Sequence, residues 1–146
     1  MNPLKILFIP TASIDLGSHR IWVHDLNNWF NKLGINSKIG KAEDIPEHDV
    51  IICGKGGEGY VQRANKQNKI TGLINPEGWR KHPSSFVIVG SIEEQASLDK
   101  NEHVFLFPLI EELFQNKAIK KHEQKNILRI GFHGHFPHLA KFEPHL

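Results

Sequence analysis

Short unbroken apolar runs recur along the chain: LKILFI, DVIIC, ITGLI, SFVIVG, HVFLF and ILRIGF, with polar or helix-like stretches between them. Runs of four to six β-branched and aromatic residues without polar alternation suit strands covered on both faces, which predicts a parallel sheet. The clearest helix between them is Ser18 to Leu33. Trp22, Leu26, Trp29 and Leu33 fall at helical steps, with Ile21 and Phe30 beside them, and make one apolar stripe. Ser18 can cap the start of this helix and Gly34 can end it. Further helices are read at Tyr60 to Asn68, which is short and very polar, at Ile92 to Asp99 and at Leu109 to Asn116. Strand, loop, helix and strand in repeated order predict an α/β fold, a Rossmann-like doubly wound parallel sheet. Ligands of such sheets bind beyond the carboxyl ends of the strands, so candidate chemistry is sought there.

A chain of 146 residues is long enough for one domain with a proper core and too short for two of ordinary size. One domain plus a fragment of a second is the natural reading. Hydrophobic content of 39% and charged content of 23% fit a soluble globular protein, with no repeat or low-complexity tract. The net charge of +2 is near neutral and only Lys117, Lys120, Lys121 and Lys125 cluster, which argues against a nucleic-acid footprint. The single cysteine, Cys53, lies inside the apolar run VIIC; an internal disulfide is excluded and a reduced, cytoplasmic setting is expected. The N-terminal apolar run lacks the cationic flank and cleavage site of a signal peptide, and no run approaches the roughly 20 apolar residues of a membrane span. Peripheral contact with the inner face of a membrane stays open.

Three loops carry candidate chemistry. The first strand leaves through PTASIDLGSHR into the long helix, where Gly17 lets the backbone approach a ligand and the helix start favours an anion such as a diphosphate. The simpler reading is that Gly17 only turns and Ser18 only caps. His19, in the first helical turn, can take a proton from a substrate hydroxyl, with Asp15 four residues earlier as an orienting carboxylate; a plain surface histidine is the alternative.

The second loop is GKGGEG. Gly54, Gly56 and Gly59 match G-x-G-x-x-G after a strand, and Glu77 follows at about the distance expected for a ribose-binding carboxylate. That fingerprint normally follows the first strand of a domain, whereas this one does not. The competing reading is a glycine-rich loop of Gly54, Lys55, Gly56 and Gly57 lining a cleft, with Lys55 near a phosphate or sugar. The third loop, HGHFPH, holds His133, His135 and His138, with His145 beyond, but their spacing is no metal signature and no metal site is expected. Cys53 reads as an inert core residue rather than a nucleophile.

The succession KILFIPTASIDLGSHR, DVIICGKGG, KITGLINPEG, VFLFPLIEELF and ILRIGFHGHFPHL resembles the N-terminal half of GT-B glycosyltransferases, followed by the opening strand of their second domain. The resemblance covers nearly the whole chain. It implies a Rossmann-like N-terminal, acceptor-side domain over residues 1–116, an interdomain linker over 117–126, and the start of a donor-binding domain over 127–146. It also implies a nucleotide-sugar donor, a sugar or lipid-linked acceptor, and no bound cofactor. Gly17 and Ser18 match the loop near the donor diphosphate, although Leu16 stands where the common form has a second glycine. His133 and Gly134 match the corresponding loop of the donor domain. An inverting enzyme of this kind would use His19 as base with Asp15 orienting it; a retaining one would not. Two other readings remain: a dinucleotide-binding oxidoreductase using GKGGEG, and a noncatalytic α/β ligand-binding module.

Overall fold

A computed structural model of the chain describes residues 3–74, 83–98 and 103–107. They fall in Met1–Asn116, the first of two units into which the chain divides. Six strands, β1 (Ile6–Ile9), β2 (Ser37–Ile39), β3 (Val50–Cys53), β4 (Ile70–Ile74), β5 (Phe86–Val89) and β6 (Val104–Leu106), form one sheet. Their order is β2-β1-β3-β4-β5-β6 and every pairing is parallel. This is a Rossmann-like, doubly wound α/β fold. Five of the six apolar runs are strands; the sixth, ILRIGF, lies outside the described residues, as do the predicted helix over 109–116 and the linker.

Alternate side chains of each strand enter separate layers. On one face Leu7, Ile9, Ile51, Cys53 and Leu73 pack under Ala42 and Ile45 of a 3-10 helix (Ala42–Glu47) and under Val61 and Ala64 of α3 (Glu58–Asn65). On the other, Phe8, Val50, Ile52, Ile74 and Ile88 pack under Trp22, Val23 and Leu26 of the long helix. Register places Val87 beside Leu73, so the cluster of Val87, Val89 and Leu98, next to α4 (Ile92–Ser97), continues the first face. The two-sided covering follows from crossover handedness. The step from β1 to β2 runs one way along the sheet and the later steps run the other, so right-handed connections place their helices on opposite faces. Truncating a residue as enclosed as Phe8 to alanine should cost about 3–5 kcal/mol.

The long helix runs as α1 (Gly17–His19), a π-helical segment (Arg20–Asp25) and α2 (Leu26–Lys32). Its end is a Schellman motif: Gly34, at φ +76°, donates to the Asn31 carbonyl and Ile35 to that of Phe30. Its start differs from the expectation. Leu16 occupies the cap position without a side-chain bond and the helix begins at Gly17, so Ser18 lies inside the first turn rather than before it. The apolar stripe is also rotated. Trp22, Val23, Leu26 and Asn27 are buried, whereas Leu33, at the helix end, is 72% exposed. Trp29 is only half-buried and lies under the Lys32 ammonium, 4.5 Å from its ring centre.

Two other corrections concern local structure. The short polar helix read at Tyr60 to Asn68 runs instead over Glu58–Asn65, where Val61 and Ala64 are fully buried and give it an apolar face. The strand β2 was not foreseen; its three residues, SKI, are too short and too polar for a period signal, and pairing with β1 holds them.

Candidate functional site

Strand order reverses between β1 and β3, because the chain passes from β1 to β2 on one side and returns to β3 on the other. The two loops leaving these strands diverge there, and a crevice at their carboxyl ends is the expected ligand site of such a sheet. The loops are joined at the base, where Gly54 N–H donates to the Ile9 carbonyl at 3.0 Å. A cleft of about 370 Å³ opens there. Its walls are Ala12, Leu16, Trp22, Val23 and Ile74, its polar groups His19 and Lys55, and Gly54 lies among them.

His19 reaches this place because side chains of a helix lean toward its N-terminus, back over the end of β1. Its residue surface is only 9% exposed. Burial lowers its pKa below the ordinary histidine value and the neighbouring His24 lowers it further, so the ring is neutral at neutral pH. The ring meets Thr11: Nε2 lies 2.6 Å from the Thr11 hydroxyl oxygen and 3.3 Å from the Thr11 amide nitrogen. The same hydroxyl donates to the Lys55 carbonyl at 2.5 Å. Asp15 does not take the orienting place expected of it. Its carboxylate is exposed and accepts from the Ser13 hydroxyl at 2.9 Å, within its own loop. An aspartate four residues before a helical histidine would need the intervening chain to be helical as well, and here the helix starts only at Gly17.

Each glycine of GKGGEG has a separate structural meaning. Gly54 N–H bonds back to β1 while its carbonyl closes the turn, and a β-carbon there would stand 3.1 Å from both His19 Nε2 and the Thr11 hydroxyl oxygen. Gly57 N–H donates back to the Gly54 carbonyl at 2.9 Å with Gly56 at φ +80°, a tight turn that needs a positive φ at its third residue. A β-carbon on Gly57 would collide with the Cys53 β-carbon at 2.6 Å. Gly59 meets nothing within 4 Å. In a dinucleotide fingerprint the third glycine permits close packing of helix on strand, a role that Gly59 does not have, and the fingerprint belongs after the first strand rather than β3. Glu77 is outside the described residues.

Gly17 is exposed with open space around it, at the start of the long helix. His133, Gly134 and the other C-terminal histidines lie outside the described residues. Among the described residues no group of three or more histidine, cysteine, aspartate or glutamate side chains could hold a metal ion. Cys53 is enclosed in β3 and burial, aided by Glu58, pushes its thiol pKa up to about 12. No helix among the described residues is long and apolar enough to cross a membrane.

Sequence reasoning passed over Thr11, the partner of the His19 ring, and the cleft residues Ala12, Val23 and Ile74, with Trp22 counted only as core. A hydroxyl directly after a strand is a weak signal, since such residues are common in turns. Compared with known proteins, the chain matches no protein-family model, no curated protein and no solved structure. Function must therefore be argued from the site itself.

Proposed function

We propose that this chain carries the acceptor side of a glycosyltransferase, which moves a sugar from a nucleotide-sugar to a hydroxyl of a sugar or lipid-linked acceptor. The observation that carries the reading is a buried histidine, held neutral, opening on a cleft at the reversal point of the sheet. A neutral imidazole can accept a proton at neutral pH, and a partly enclosed cleft keeps it from bulk water. The largely apolar wall around Trp22 suits a ring face or the first carbons of a lipid carrier.

In this reading the acceptor hydroxyl gives its proton to His19 as its oxygen bonds to the anomeric carbon. The bond from that carbon to the donor diphosphate breaks, and its electron pair leaves on the diphosphate oxygen. Gly17 and Ser18 would face that diphosphate at the helix start, where anions are favoured, and His133 and Gly134 would belong to the donor side. The contribution asked of a single base is about 10²–10⁴-fold.

A noncatalytic ligand-binding module is the second reading, and one observation favours it: Nε2 of His19 already has a partner in Thr11. The two part in a direct assay. The full gene product is incubated with nucleotide-sugars labelled in the sugar, together with glycans and glycolipids extracted from its source cells. Label passing into an acceptor, with matching release of nucleoside diphosphate, is the expected result; binding of an extract component with no transfer from any donor would leave the module reading.

A further inference from the structure

The contacts around Thr11 pose a proton-counting problem. Its hydroxyl stands 2.6 Å from His19 Nε2 and 2.5 Å from the Lys55 carbonyl oxygen, yet a hydroxyl has one proton to donate. If that proton went to Nε2, two oxygens would face each other at 2.5 Å with no hydrogen between them. If it goes to the carbonyl, the hydroxyl oxygen is left as an acceptor and both short contacts become hydrogen bonds, provided that Nε2 carries a hydrogen. The second arrangement gives up the hydrogen bond that the Thr11 amide N–H would otherwise donate to Nε2 at 3.3 Å, the longest of the three contacts, in exchange for two short ones.

We infer that Thr11 is a positioning residue for His19: its hydroxyl accepts from Nε2–H and donates to the Lys55 carbonyl, which leaves the imidazole lone pair on Nδ1. Nothing in the sequence pattern pointed to Thr11, and Asp15, the carboxylate expected in this place, is engaged elsewhere. A hydroxyl differs from a carboxylate in consequence. It fixes the tautomer and the ring plane without adding a negative charge, so it does not raise the pKa of the imidazole as an ion pair would, and burial keeps the ring neutral.

The same bond links two loops. Thr11 follows β1, His19 lies in the first turn of the long helix, and Lys55 is the second residue of the tight turn after β3. A shift of the GKGG turn would therefore withdraw the acceptor of the Thr11 hydroxyl, free its proton and change the tautomer preference of His19. The ring and the glycine turn form one mechanical unit at the reversal point. Gly54 makes this possible, because only a hydrogen fits against the pair without displacement.

The tautomer can be read on the unmutated chain. Long-range ¹H–¹⁵N correlations of the ¹⁵N-labelled protein are recorded at a pH well above the ordinary histidine pKa, with the His19 signals identified by their loss in His19→Gln. The expected pattern is hydrogen on Nε2 and a lone pair on Nδ1; hydrogen on Nδ1 overturns the inference. Thr11→Val keeps the methyl and removes the hydroxyl, and should let the two tautomers average, while Thr11→Ser should restore the original pattern. A Thr11→Val spectrum unchanged at His19 also overturns it. The catalytic meaning rests on the glycosyl-transfer reading, in which Thr11→Val should lower kcat by about 10- to 100-fold with KM little changed and Thr11→Ser should recover it. Absence of transfer altogether would sink that reading and leave the tautomer result standing.

Discussion

Gly54 stands flush against His19, so that a β-carbon at position 54 would lie 3.1 Å from Nε2 of the ring and the same distance from the Thr11 hydroxyl oxygen. Either the ring or the turn must give way if the glycine is replaced. Gly54→Ala should therefore destabilise the fold by about 1–3 kcal/mol, the usual cost of overpacking, and move the His19 ring signals. Urea melts and the ring resonances check this together. Wild-type stability with unmoved ring signals would mean that the turn and the ring are not in contact.

Gly59 gives the opposite expectation. It lies in α3 with open space around it, and glycine inside a helix costs roughly 0.5–1 kcal/mol relative to alanine. Gly59→Ala should raise stability by about that amount. NADH and flavin should leave the melting temperature unchanged. A destabilised Gly59→Ala, together with a melting shift caused by NADH, would restore the dinucleotide reading of GKGGEG.

Acid sensitivity should carry a signature of His19. Burial holds its pKa in the folded chain below the unfolded value of about 6.5, so the unfolded chain binds this proton first as pH falls. The stability tied to the neutral ring is then complete above the unfolded value and is lost as pH falls through the folded one. Urea midpoints of wild type and His19→Gln, measured from neutral to acid pH, should converge as pH drops through that window. Parallel curves would show that the ring is not desolvated.

Cys53 should be silent toward alkylation in the folded chain. The thiolate is the reacting form, and burial pushes this thiol pKa up to about 12. As the only cysteine in the sequence, it reports on one place, the end of β3 beneath Gly57. Labelling by iodoacetamide should occur only at the rate of unfolding. Rapid stoichiometric labelling under native conditions would contradict the enclosed strand.

Much of the sheet was legible because unbroken apolar runs are what two-sided burial demands, and VIIC is the plainest case, with every residue from Val50 to Cys53 buried. The long helix was legible too, down to Gly34 at its end. Its start was not, because Ser18 has the chemistry of a cap while the backbone places the cap at Leu16, and a choice between neighbouring positions rests on backbone geometry rather than residue type. His19 was found by the reactivity of its side chain and its place near a strand end. Its partner was missed for a physical reason: Asp15 is the nearer carboxylate in sequence, whereas the loop that leaves β1 brings the Thr11 hydroxyl against the ring from eight residues away. Contacts that depend on the loop path leave no trace in spacing.

The central claim is that His19 takes a proton from an acceptor hydroxyl in the cleft beyond the carboxyl ends of β1 and β3. Turnover by the His19→Ala form of the full gene product, compared with wild type under saturating donor and acceptor, tests it most directly. The account predicts a fall in kcat of at least about 100-fold with the fold intact by circular dichroism. Turnover equal to wild type would remove His19 from the chemistry and contradict the account.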